Sequence, residues 1–195
     1  MGIRLAVKEW AGVIEALNRG VQTVLIRKYL PEQTEFLLYP TYSYYTANKN
    51  HPDRFAEKFR PEFVSMARDS ALEELLAPDL VKLKYVFKVE NVIHLDSKAK
   101  ITAAAMQTIW TTEHVQSYAE KSKYGVVAWV GQTKRLPSVV LAARQTTGGS
   151  ITKYNHYDDV DVSESEPVSS AEHHKEQIAK FYSCIDRASA RTNNK

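Results

Sequence analysis

Cysteine is nearly absent from this sequence. Cys184 is the only thiol in 195 residues, which excludes an intrachain disulfide and a cysteine-rich zinc site. Long apolar runs are also missing: the longest, residues 126–130 and 139–143, have five residues, whereas a membrane-spanning helix needs about 20. Charged side chains interrupt the N-terminal region before a signal-peptide core can form. We expect a soluble, cytoplasmic protein with no membrane partner.

Motifs for phosphate binding, metal binding and nucleophilic catalysis are missing as well. Gly148-Gly149-Ser150 has neither the lysine nor the following helix of a phosphate loop. No Gly-x-Ser-x-Gly sequence frames a serine nucleophile, and the six histidines show no metal-ligand spacing. The sequence therefore identifies no reaction, cofactor or metal, and we interpret the chain as a binding module in preference to an enzyme.

The net charge of +3 conceals two segments of opposite charge. Residues 121–153 contain six basic residues and no acidic one, whereas residues 158–172 contain six acidic residues and no basic one. A basic segment of this kind favours a polyanionic partner, because each neutralised phosphate releases counterions. We expect a single α+β domain over residues 1–153 and an acidic, polar C-terminal segment with a short helix over 154–195. That segment is expected to cover the basic surface when no ligand is bound.

Hydrophobic periodicity outlines the N-terminal elements. Apolar residues at helical spacing predict a first helix over 5–17 that ends near Gly20. Residues 21–27 and 35–39 are predicted to form a hairpin, and Pro61 to begin a helix over 61–77. Strict alternation predicts a half-buried strand over 81–89, with Lys82, Lys84 and Lys88 on its outer face and a bulge at Glu90-Asn91.

Capping residues outline the second half. Asp96 or Ser97 is predicted to cap a helix running to about Trp110, and Thr111 or Thr112 a shorter helix to about Ser122. Residues 125–130 and 137–144 are predicted as the last two strands, joined by residues 131–135. Helices interspersed with short strands predict an α+β fold in which three or four helices surround a small curled mixed sheet or pseudo-barrel of five or six strands.

The N-terminal third resembles a known family. Residues 6–11, 13–17, 25–28 and 35–42 resemble the prokaryotic domain-of-unknown-function family eighteen-oh-two, and Ile109-Trp110-Thr111 extends the likeness. The resemblance covers most of residues 5–145. It implies an association with restriction-type or defence systems and a protein partner encoded nearby. No catalytic residue is implied.

A second, shorter resemblance concerns three residues. Gly20, Thr23 and Arg27 are spaced as in the ASCH and PUA-like barrels, which bind nucleic acid or modified nucleosides in a cleft beside that strand. The acidic residue of that pattern is Leu25 here, and its paired lysines are Val21 and Gln22. This departure removes an acid or base role and argues against a hydrolase.

We therefore predict a nonenzymatic module that binds RNA or DNA. Arginine and lysine would contact phosphates, while tyrosines stack on bases. The predicted cleft residues are Arg27, Lys28, Tyr42, Tyr44 and Tyr45, and the predicted rim residues are Lys134, Arg135 and Arg144.

Two alternatives remain open. Asp79, followed after sixteen residues by Asp96-Ser97-Lys98, has the spacing of a PD-(D/E)xK nuclease, in which two carboxylates hold Mg²⁺ and the lysine supports the attacking water. The other alternative is a protein-interaction subunit whose acidic C-terminal segment is the contact surface.

Overall fold

The computed structural model describes residues 2–41, 56, 79–123, 125–143 and 154–193. Within these residues the chain forms seven strands and four helices. The strands are β1 (Gly2–Trp10), β2 (Val24–Arg27), β3 (Glu35–Thr41), β4 (Leu80–Leu95), β5 (Val126–Ala143), β6 (Tyr154–Asp161) and β7 (Glu166–Pro167). The helices are α1 (Ala11–Asn18), α2 (Lys98–Ala105), α3 (Thr112–Glu120) and α4 (Ala171–Asn193).

The strands form one mixed sheet in the order β2-β5-β4-β3-β1-β6, with β7 on the outer side of β5. Strand β1 runs parallel to β3, and every other pairing in the sheet is antiparallel. Four helices with one mixed sheet confirm the predicted α+β class. The sheet is not closed, which agrees with the predicted curled sheet. The described residues contain more strands than the five or six expected.

The predicted first helix is wrong over its first half. Residues 2–10 are strand β1, and the helix covers only Ala11–Asn18. The cause is burial on both faces of the sheet: Ala6 and Val7 are adjacent, point to opposite faces and are both fully buried. Apolar residues at both phases of a strand imitate helical spacing. The predicted end at Gly20 is confirmed, since this residue adopts φ 65° just after the helix.

The predicted hairpin between residues 21–27 and 35–39 is also wrong. Strand β2 pairs with β5, and β3 pairs with β4 and β1. All four residues of β2 are buried, so its position is decided by packing against distant strands. The connection between β2 and β3 has seven residues, which is long enough for the two strands to pair with different neighbours.

The long strand β4 confirms the predicted strand and its interruption after Val89, but the predicted strict alternation is wrong, because Val86 is 1% exposed and the register also shifts between Leu83 and Tyr85. Val89 is opposite Gly131 and Asn91 is opposite Val130, which leaves Glu90 as the extra residue of a bulge. Its partner β5 is one continuous strand of 18 residues, where two strands joined by a loop had been predicted. Gly131 marks a close approach of two strands and no turn: a Cβ at this position would collide with the carbonyl oxygen of Lys88.

Both predicted helix caps are confirmed. The Ser97 hydroxyl accepts a hydrogen bond from the Lys100 N–H at 3.3 Å, and the Thr111 hydroxyl accepts one from the His114 N–H at 3.1 Å. Helix α2 ends at Ala105, earlier than predicted. The threonine cap matters for the site, because it fixes where α3 begins.

Helices cover both faces of the sheet around β2 and β5. On one face α1 packs over Leu25 and the fully buried Trp129. On the other face the alanines of α2 and Val115 of α3 pack over β2 and β5. The end of β2 therefore lies between two apolar layers, and this is where Arg27 is located.

Residues 154–193 contribute to the same sheet and core. Strand β6 pairs with β1, and Phe181 and Ile185 of α4 are buried against α2. The His174 imidazole lies 3.0 Å from the Glu90 carboxylate and joins α4 to the bulge of β4. Helix α4 has 23 residues, longer than the short helix expected.

The predicted helix over residues 61–77 lies outside the described residues. In the described ranges, no helix combines the length and apolar character needed to cross a membrane.

Candidate nucleic-acid interface

A buried ion pair joins β1 to β2. The Arg27 guanidinium donates to the Glu9 carboxylate at 2.7 Å, and both side chains are less than one-tenth exposed. The second carboxylate oxygen of Glu9 accepts the backbone N–H of Trp10 at 2.7 Å. The pair therefore fixes Arg27 at the point where β1 ends and α1 begins.

The surroundings of Arg27 keep it charged. Burial works against its charge, but the Glu9 carboxylate, followed by the phenols of Tyr29 and Tyr118, outweighs this and raises the Arg27 pKa above its usual value. The guanidinium carbon lies 5.7 Å from the centre of the Trp129 ring. The buried Nε atom of Arg27 has no hydrogen-bond partner among the described residues. Arg27 is 7% exposed, so its charge acts on the neighbouring surface residues without direct contact with solvent.

Lys28 follows Arg27 in the chain and lies near Tyr118 of α3, where the charge of Lys121 also acts on it. The Lys28 ammonium lies 4.2 Å from the centre of the Tyr118 ring, a cation–π contact. Partial burial, followed by repulsion from Lys121, lowers the Lys28 pKa. Within the described residues, no carboxylate lies within ion-pair distance of either lysine.

One face of α3 supplies the aromatic part of the site. His114, Tyr118 and Lys121 are spaced i, i+4 and i+7, which places them on the same side of the helix. Glu113 and Glu120 lie on an adjacent side. Burial raises the pKa of the Tyr118 phenol above its usual value, so the phenol stays protonated at neutral pH.

Two tryptophans continue this surface. The Trp10 and Trp110 rings meet edge to face with centres 4.9 Å apart, and His114 lies 4.7 Å from Trp110. Both tryptophans are half-buried. Ala56 donates its N–H to the carbonyl of Ile109, so this residue lies beside the same cluster. We call the surface formed by Lys28, Lys121, His114, Tyr118, Trp10 and Trp110 the α3 face.

The predicted rim residues lie elsewhere on the sheet. Lys134 is 3.3 Å from the Glu35 carboxylate, and Arg135 donates to the Asn18 side chain at 3.2 Å. Arg27 is opposite Val127, and Lys134 follows seven residues later on β5, about 23 Å of extended chain. The structure therefore brings Arg27 and Lys28 together but separates them from Lys134 and Arg135.

Four predicted residues fall outside the described part of the chain: Tyr42, Tyr44, Tyr45 and Arg144.

The nuclease residues are not brought together. Asp79 precedes β4 and Asp96 follows it, so a 16-residue strand of about 50 Å separates them. Two carboxylates that share one Mg²⁺ must both lie within about 2.1 Å of the ion. Asp96 pairs with Lys100 at 3.0 Å, and Lys98 belongs to the first turn of α2. Within the described ranges, no group of three metal-ligating side chains occurs.

Sequence reasoning missed Glu9 and Tyr118. Glu9 falls within the segment predicted as the first helix, and its partnership with Arg27 depends on the sheet. Tyr118 had a usable signal, namely its helical spacing from His114 and Lys121, but the contact with Lys28 is tertiary. Trp10 and Trp110 are not among the predicted site residues, and both are half-buried.

Comparison with known proteins gives one match. A family model described as Domain of unknown function (DUF1802) covers residues 6–180. No curated protein and no solved structure matches the chain.

Proposed function

The chain belongs to the DUF1802 family of domains of unknown function, and we propose that its α3 face binds single-stranded nucleic acid without catalysing a reaction. The observation that carries this proposal is the Lys28 ammonium 4.2 Å from the centre of the Tyr118 ring, with the charge of Lys121 near enough to repel it. A phosphate between the two ammonium groups would relieve their repulsion. We also propose that this binding serves a restriction-type or defence system, as the family resemblance implies.

The chemistry of the α3 face suits a single strand. Base–aromatic stacking contributes about 1–3 kcal/mol per base and tolerates any sequence, because every base has a π face. Tyr118 and the two tryptophans offer such rings next to the lysines. The protonated phenol of Tyr118 adds a hydrogen-bond donor for a base or phosphate.

Arg27 has an indirect role in this proposal. Because it is held by Glu9 and is 7% exposed, it does not serve as the main phosphate contact. Its charge adds to the positive potential beneath Lys28, while Glu9 fixes its position. Affinity should therefore depend on Lys28 and Lys121 more directly than on Arg27.

A salt titration tests the proposal. Fluorescence anisotropy with labelled short single-stranded RNA and DNA should show binding at low salt, about 50 mM, that weakens linearly on a double-logarithmic plot as salt rises. The double variant Lys28→Glu, Lys121→Glu should bind at least about tenfold more weakly and reduce the slope by about 1.4, since each phosphate contact with a single strand contributes about 0.7.

The matched control is Lys175→Glu, Lys180→Glu, which reverses two exposed charges on α4. This double variant has the same net charge as the test variant. Equal losses in both variants would show a nonspecific effect of net charge. No binding at low salt, or affinity that does not respond to salt, would contradict the proposal.

A further inference from the structure

A groove lies between the two ends of the curled sheet. Its first part, a cleft of about 370 Å³, separates β5 from β6, and its second part, of about 700 Å³, continues toward β7. Pro137 and Glu164 line both parts, so they are continuous. The first part places Pro137, Ser138 and Val140 of β5 across from Asp159, Val160 and Asp161 of β6.

Both walls of this groove are unpaired strand edges. On its outer side β5 pairs with β2 at residues 127–130 and with β7 at Lys134 and Arg135. From residue 136 to 143 no described strand continues the sheet on that side, and β6 has β1 as its one described neighbour. Unpaired edges present rows of backbone N–H and C=O groups that can accept another strand.

A bulge turns the β5 edge into the groove. Val140 is opposite Leu83 and Arg135 is opposite Tyr85, so residues 136–139 lie across from Lys84 alone. Extra residues in a bulge are left out of the ladder and re-aim the strand. Pro137, Ser138 and Val139 are accordingly exposed, and Val139 is 52% exposed despite being apolar.

The groove combines an apolar floor with acidic walls. Leu136 and Val160 are buried beneath it and Val140 is half-buried. Among the described residues, the charged groups that line it are Asp159, Asp161, Glu164 and Glu166, with Arg135 as the one cation. Arg4 binds both carboxylate oxygens of Asp159, at 2.7 and 2.8 Å, and the Ser163 N–H donates to Asp161. Glu164 and Glu166 form no ion pair with any described residue.

We propose that this groove binds an extended peptide segment of a partner protein in which lysine or arginine alternates with apolar residues. Alternate side chains of a strand point to opposite faces, so the apolar ones reach the floor while the basic ones meet Glu164 and Glu166. This inference is independent of the α3 face and of the proposed nucleic-acid binding.

The test uses defined peptides and the full chain. A labelled peptide of repeating Lys-Val should bind, as measured by fluorescence anisotropy, and a Glu-Val peptide of the same length should not. A Lys-Val peptide with N-methylated valines keeps the charge but loses backbone donors, and it should bind at least about tenfold more weakly. Equal binding of the methylated peptide would reduce the effect to charge attraction and overturn the proposal, as would no binding up to about 1 mM.

Protein variants locate the contact. Glu164→Lys, Glu166→Lys should weaken Lys-Val binding about tenfold, whereas the control Glu176→Lys, Asp186→Lys on exposed positions of α4 should not. In hydrogen exchange, the amides of Ser138 and Val139 should gain protection when the peptide is added. Unchanged exchange at both amides, or an equal loss in the control variant, would contradict the assignment.

Discussion

Glu9 and Arg27 form an ion pair of 2.7 Å between β1 and β2, with both side chains almost completely buried. Neither residue can be replaced alone without leaving a buried charge. The ion pair positions two residues of the α3 face, because Trp10 follows Glu9 and Lys28 follows Arg27 directly in the chain. Its removal should affect stability before it affects binding.

The first prediction concerns this ion pair. Glu9→Leu should lower the free energy of unfolding by about 3–5 kcal/mol, because it leaves the guanidinium without its counter-charge. The double variant Glu9→Leu, Arg27→Met should recover most of this loss, since an apolar pair is tolerated where a single charge is not. Urea denaturation measures both. A double variant as unstable as Glu9→Leu would contradict the interpretation.

The second prediction concerns alkaline pH. Burial raises the pKa of Tyr118 above the usual value of about 10 for a tyrosine. The phenol contributes stability fully below that value and loses it as the pH rises through its folded pKa. Lys28 has the opposite effect on stability. Because its pKa is lowered in the folded protein, it loses its proton at a lower pH there than in the unfolded chain, so its contribution to stability rises with pH. Between pH 9 and 11, unfolding free energies should therefore fall more steeply for wild type than for Tyr118→Phe, in which Lys28 is retained. Parallel curves would contradict this prediction.

The third prediction concerns the start of α3. Thr111→Ala should cost about 1 kcal/mol, because it removes the hydroxyl that accepts the His114 N–H. Thr111→Ser keeps that acceptor and should restore most of the stability. Thermal or urea unfolding of the two variants gives the comparison, and equal losses would show that the cap is not the cause.

The fourth prediction concerns two glycines. Gly131→Ala should destabilise the protein by about 3 kcal/mol, the upper end of overpacking effects, because the new Cβ meets the Lys88 carbonyl oxygen. Gly125→Ala should cost only about 1 kcal/mol, since it has a positive φ but open space around it. A smaller loss at Gly131 than at Gly125 would show that β4 and β5 can move apart.

The fifth prediction concerns the acidic C-terminal region. Phe181→Ala should reduce the free energy of unfolding by about 3–5 kcal/mol, because this side chain is 1% exposed in the core beneath α4. The exposed residue Lys180 provides the control, and Lys180→Ala should change stability by less than about 0.5 kcal/mol. A Phe181 variant as stable as wild type would mean that α4 contributes little to the core.

Local patterns predicted local features well. The strand over residues 81–89, the bulge at Glu90 and the caps at Ser97 and Thr111 depend on neighbouring residues, and these elements were found as predicted. Patterns failed where burial depends on distant packing. Strand β1 is covered on both faces, which removed the alternation that identifies a strand.

The site shows the same division. Arg27 and Lys28 could be selected from residue type and from a family-like spacing. Their environment could not be predicted, because Glu9 and Arg27 lie on strands that are not neighbours in the sheet and Tyr118 reaches Lys28 from a separate helix. The cluster of basic residues in the sequence predicted a surface that binds a polyanion. Which of those basic residues are neighbours in space depends on the sheet.

The position of β1 has a consequence for how the chain is made. Arg4 and Asp159 belong to paired strands and are 155 residues apart. Protein synthesis adds about 5–20 residues per second. The interval between the synthesis of Arg4 and that of Asp159 is therefore roughly 8–31 seconds, and β6 cannot pair with β1 before it ends. Contacts of such long sequence separation slow folding. During that interval β1 is a nascent strand with an open side, so its early protection depends on β3.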